Sequence, residues 1–199
     1  MIGTIEQAII DKIAAASSGA TPSLGYNILD VKSYGGELEG SVTEIARRSP
    51  AVLVMFSGIR ESQHLGGEQW QYTAGFAVIV LHQDRRNNKA ARHGAGAGDV
   101  GSYQMATDML QLLVGSDLGL GIGRIEPGRV VALINSKTVS VYSVEIRTTF
   151  IIDYQAADAD LDTFAKLHAD WDVPVFGNVS TDLPASTADA QDDIEPEQD

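Results

Sequence analysis

Strands that follow strands constrain this chain more than any other feature. "AVLVMFSG" (51–58) is an unbroken apolar run of β-branched and aromatic residues, the pattern of a strand covered on both faces. A second strand follows at 69–82, with Trp70, Tyr72 and Ala74 on one face before "FAVIVLH" runs into the core. Residues 129–134 and 139–154 form another consecutive pair, split by "NSKT" (135–138), a hairpin turn. In the last strand Val139, Val141, Ser143, Glu145, Arg147 and Thr149 alternate with Ser140, Tyr142, Val144, Ile146, Thr148 and Phe150. Regular strand–helix–strand alternation is missing. The fold class is therefore α+β: a mixed, mostly antiparallel sheet with helices packed mainly on one face.

The helices have their own signals. Ile5, Ala8, Ile9, Ile13 and Ala16 recur at three- and four-residue spacing, which predicts an amphipathic helix over 4–16, with Thr4 and Gln7 as its capping box. "SSGATPSLG" (17–25) stops it, and 26–34 suits a strand ended by Gly35 and Gly36. A short helical turn is expected over 42–48, closed by Pro50. Met105, Met109, Leu112 and Leu113 place a second long helix over 102–114.

The 199 residues, 44% of them hydrophobic, suffice for one sizeable core with appendages. Three segments follow: a core domain over 1–155 that carries a long loop insertion, a C-terminal extension over 156–178, and an acidic, flexible tail over 179–199. Mean hydropathy is close to zero, and no apolar run reaches the roughly eighteen residues that cross a bilayer. The start lacks the basic, then apolar, layout of a signal peptide. There is no cysteine, which excludes disulfides and thiolate metal sites. The net charge of -13 argues against general nucleic-acid binding, which needs Lys and Arg against phosphate. The charge is uneven: Asp182, Asp189, Asp192, Asp193, Glu195, Glu197 and Asp199 close the chain with no Lys or Arg among them.

"HGAGAGDVG" (93–101) contains Gly-x-Gly-x-x-Gly at Gly96, Gly98 and Gly101. A dinucleotide site needs those glycines in the tight turn between a strand and its helix. Here the polar stretch "QDRRNNKAAR" (83–92) separates them from the preceding strand, and Asp117 lies in a loop straight after the helix instead of at the end of a following strand. The glycines are therefore read as a flexible loop. No catalytic, cofactor-binding or metal-ligating residue is expected. His64, His82, His93 and His168 are scattered, and Ser57 lacks the Gly-x-Ser-x-Gly elbow. Asp158, Asp160 and Asp162 lack the glycine and glutamate of a calcium loop.

Arg85, Arg86, Lys89 and Arg92 fall within eight positions of an acidic protein. They read either as a solvated loop tip or as a docking arm for an acidic partner. With Lys137 in the 135–138 turn, they are the candidate interface residues.

"MIGTIEQAIIDKI" (1–13), "SYGGEL" (33–38), "RRSPAVLVMFSG" (47–58) and "WDVP" (171–174) occur in an order that resembles the phage Mu-like tail terminator family of contractile-tailed phages, formerly a domain of unknown function. The likeness runs from Met1 to about Pro174, and its motifs are structural. It implies a non-enzymatic virion subunit, assembled in the host cytoplasm, that forms a homo-oligomeric, hexameric ring on the head-proximal end of the tail tube. Such a ring stops tube and sheath polymerisation and offers a surface to a neck or head-completion protein. Genomic DNA would meet it only in passing through the lumen, and no membrane is involved. The rival readings are a neck or head-completion connector, a nucleotide-binding enzyme using the 96–101 loop, and a plain binding module.

Overall fold

The structure, a computed structural model, describes residues 1–39, 49–84, 87–94, 100–154, 167–171 and 190–194. The chain divides into two compact units, Met1–Tyr154 and Gln155–Asp199. In the first, the elements run α1 (Ile2–Ser17), β1 (Asp30–Ser33), β2 (Ala51–Gly66), β3 (Gln69–Gln83), α2 (Asn88–His93), α3 (Ser102–Leu113), β4 (Glu126–Asn135) and β5 (Val139–Asp153). Among the described residues of the second, β6 (Leu167–Trp171) pairs antiparallel with β7 (Ala190–Ile194).

The five strands of the first unit order as β1-β2-β3-β5-β4. Only β1 and β2 run parallel, so the fold is α+β with a mixed, mostly antiparallel sheet. Ile5, Ile9 and Ile13 stand four residues apart on α1, and Met105, Met109 and Leu113 do the same on α3. Both stripes close on one sheet face, against Val54, Phe76, Val78, Val144 and Ile146, and form the main core. A smaller cluster on other strand positions joins Leu53, Ile79, Leu81, Val139 and Val141. Alternate residues of β2 and β3 thus enter different clusters, which is why "AVLV" and "FAVIVL" read as continuous apolar runs.

Several local expectations need correction. The Thr4–Gln7 capping box does not form. Helix α1 begins earlier, with Met1 as N-cap and no side-chain cap, and Gln7 Nε2 donates instead to Asp11 Oδ1 at 2.8 Å. The strand expected over 26–34 shrinks to Asp30–Ser33, because Tyr26 and Ile28 pack against the main core rather than joining the ladder. The stretch read as a polar loop contains α2: Asn87 caps it through a 2.9 Å bond from the Ala90 N–H, and Ala90 and Ala91 are buried. The strand expected to end at Gly58 continues to Gly66. Residues 42–48, the Gly96–Gly98 stretch and Asp158–Asp162 lie outside the described residues.

Candidate functional site

Gly101 is the one glycine of the 96–101 motif among the described residues, and it is the N-cap of α3. A Cβ there would collide with the Arg92 carbonyl and the Gly94 nitrogen. This glycine lets the end of α2 lie against the start of α3. Among the described residues the element before α3 is the helix α2 and not the strand that a dinucleotide site places there.

The three histidines of the first unit do not converge. His82, at the end of β3, is buried, with Ser49 Oγ 3.5 Å from its Nδ1. His64 lies against Trp70, ring centroids 5.0 Å apart, and His93 against Tyr103 at the same distance. Among the described residues, no three His, Cys, Asp or Glu are grouped as metal ligands.

The first candidate surface is a polar groove on the sheet, about 910 Å³, along β2, β3, β5 and β4. Its walls are ion pairs. Arg129 Nη2 and Nε lie 3.2 and 3.3 Å from the two Glu145 carboxylate oxygens, Arg60 Nη2 lies 3.8 Å from Glu145, and Arg147 Nε donates to Glu126 Oε2 at 2.8 Å. Gly128 belongs to this wall by necessity: a Cβ would approach the Glu145 carbonyl to 2.8 Å. Because every guanidinium of the groove has a carboxylate partner, the groove is a charge-balanced surface rather than an anion trap.

The second surface is the free edge of the sheet. Among the described residues β4 pairs only with β5, and nine of its ten residues are exposed. Pro127 suits an edge position, and the register shift between Pro127 and Val130 bends the start of the strand. From Arg129 on, the edge is apolar: Val130 (47% exposed), Val131 and Leu133. Val130 also lines an apolar hollow of about 230 Å³ with Tyr103, Ala106, Leu110 and Tyr142. An open, apolar edge strand is a template for pairing with another chain. Three cations flank it. Arg129 lies on the strand, and Asn88 Nδ2 donates to the Ser136 carbonyl at 2.6 Å, setting Lys89 of α2 beside the turn that holds Lys137. Lys89 and Lys137 are exposed.

Arg92 stands apart from these two. Its Nη1 donates to the Tyr103 hydroxyl at 3.2 Å and its guanidinium lies 5.8 Å from that ring's centroid. Tyr142, whose hydroxyl donates to Tyr103 at 3.4 Å, and Arg92 together hold the Tyr103 phenol below its ordinary range. Arg92 is thus engaged within the chain. Arg85 and Arg86 lie outside the described residues.

The third surface carries Trp70 and Tyr72, whose place on an alternating strand marks them as core or interface residues, on an arm longer than the expected strands. Beyond Gly58, β2 pairs with β3 as far as Gly66↔Gln69, and β3 pairs with β5 as far as Gln69↔Asp153. This three-stranded arm continues past the helices. Tyr72 stacks on Phe150 at the rim of the core, centroids 5.8 Å apart. Two residues further out on the same face, Trp70 (40% exposed) opposes Ile152 (47% exposed). Gln71, Gln63 and Thr73 occupy the alternate positions. Gly66 and Gly67, both with positive φ, are the available signal, since Gly-Gly between two β-runs marks a hairpin.

Residues 1–154 match the family described as Bacteriophage Mu, Gp37, and the chain belongs to that family. It is a bacteriophage-family protein of the structural or morphogenetic kind. No curated protein matches the chain.

Proposed function

We propose that this member of the Mu Gp37 family is a tail terminator: a non-enzymatic subunit of a ring, six-fold by the family resemblance, that seats on the head-proximal end of the tail tube. The observation that carries the reading is the family match, which spans the whole sheet unit. Such a ring acts by geometry. It occupies the interface on which the next tube or sheath subunits would add, and it presents to a neck or head-completion protein a surface that tube subunits cannot extend. The surfaces left unpartnered among the described residues suit that task, since a closed ring requires two different faces on each subunit. An overall negative charge suits a lumen through which DNA passes without being gripped.

The test is electron microscopy of lysates from a prophage lacking this gene. Overlong or irregular tubes beside filled heads are expected. Tails of normal length that fail to join heads would instead assign the chain to the neck, and normal infectious particles would overturn a role in tail assembly.

A further inference from the structure

We infer that two copies of this chain join by packing the Trp70–Ile152 face of the β2–β3–β5 arm of one copy against the β4 edge of the next. The inference deepens the terminator reading and rests on it for the use to which the contact is put. Both surfaces are apolar and exposed: Trp70 and Ile152 on the arm, Val130 and Leu133 on the edge. Trp70 lies on β3 and Ile152 on β5, beyond the 140–147 stretch of β5 that pairs with β4, so the two surfaces are different patches. A contact between two different patches can repeat head to tail around a ring, and a wild-type mass above that of a dimer distinguishes this arrangement from a reciprocal two-fold pair.

Charge selects the partner. The arm carries exposed Glu61, Glu68 and Asp153 around its tip, and the turn at the end of β4 is flanked by the exposed Lys89 and Lys137, whereas Arg129 is held by Glu145. Acidic tip and basic edge attract, whereas tip on tip or edge on edge sets like charges together, which is how polar rims fix register and exclude wrong pairings. Among the described residues the β4 backbone pairs on one side only, and its other side adds strand pairing to the apolar contact.

The experiment measures the mass of the full chain in solution by light scattering and native mass spectrometry. Wild type is expected to form oligomers. Trp70→Lys leaves the edge intact and Val130→Lys leaves the arm intact, so each alone is expected to be monomeric with an unchanged circular-dichroism spectrum. An equimolar mixture of the two is expected to give a heterodimer and nothing larger, because only one good junction remains. Lys137→Glu is expected to weaken assembly, and Glu68→Lys in the same chain to restore it. A monomeric wild type, oligomers that survive either substitution, or a mixture that stays monomeric would each overturn the contact. These outcomes are separable from those for function. Overlong tails in the gene deletion with intact oligomers in both variants would remove the contact and keep the terminator. The heterodimer with tails of normal length would do the reverse.

Discussion

The Tyr26 hydroxyl donates a 2.9 Å hydrogen bond to Asp108 Oδ2, across 82 residues of sequence, and so pins the segment before β1 to the middle of α3. Asp108 is buried, and its other oxygen accepts from Gln104 Nε2 at 2.7 Å, one helical turn away. The carboxylate therefore has both oxygens occupied, which is what lets a charged group sit under a loop. Burial, and next the hydrogen bond to Asp108, push the Tyr26 phenol well above its ordinary value of 10.0.

A phenol held neutral in the folded state stabilises the fold below its unfolded pKa, about 10. Above that pH the unfolded chain releases the proton and the folded chain keeps it, so stability falls with rising pH. Alkaline unfolding is thus expected to steepen from about pH 10 upward, and Tyr26→Phe is expected to flatten that slope while lowering stability at neutral pH by roughly 1–3 kcal/mol for the loss of one bond to Asp108. Urea titrations of both chains at neutral and alkaline pH check it. An unchanged alkaline slope in Tyr26→Phe would remove this phenol as the source.

Gly101→Ala separates the packing role of that glycine from a nucleotide role. Its Cβ would collide with backbone atoms of Arg92 and Gly94, which cannot swing aside as a side chain can. A loss of about 1–3 kcal/mol is expected, the usual cost of forcing extra volume into a packed contact. The wild-type melting temperature is expected to be unmoved by a panel of nucleotides, whereas a ligand at a hundred times its dissociation constant would add roughly 2.7 kcal/mol. Stabilisation by any nucleotide would reopen the enzyme reading.

The legible parts of the fold were those whose residues act through periodicity. Ile5–Ile9–Ile13 on α1 and Met105–Met109–Leu113 on α3 mark their buried faces without reference to anything else. The runs starting at Ala51 and Phe76 mark doubly covered strand segments in the same way. What escaped depended on distant partners. Tyr26 looks like a strand residue until Asp108 is known to lie beside it. The arm beyond Gly58 alternates only weakly, because both of its faces are exposed and no core imposes a pattern. Helix α2 has six residues, too few for a periodic stripe, and rests on its Asn87 cap and its docking to the β4–β5 turn. Of the expected interface residues, Lys89 and Lys137 come together only through that docking.

The Asn87 cap can be probed directly. Its side chain accepts from the Ala90 N–H at 2.9 Å, and Asn87→Ala is expected to cost about 1 kcal/mol, as loss of a helix N-cap does. Asn88→Ala removes the tie to the Ser136 carbonyl instead. It is expected to leave the core intact while speeding hydrogen exchange in α2 and in the 136–138 turn together, because the two segments are held through one side chain. Protection lost in α2 alone would show that the turn is held independently.

The contrast between Met109 and Val130 tests whether the β4 edge belongs to the folded subunit or to its assembly. Met109 has no exposed surface and sits in the main core, so Met109→Ala is expected to cost about 2–5 kcal/mol in urea titrations at any protein concentration. Val130 is 47% exposed, and Val130→Ala is expected to change the stability of the dilute, dissociated chain by no more than about 0.5 kcal/mol. At high protein concentration, where association adds to apparent stability, the same substitution is expected to lower it further. A concentration-independent loss in Val130→Ala would mean that the side chain packs within its own subunit, and the edge would then be part of the core rather than a surface kept for a neighbour.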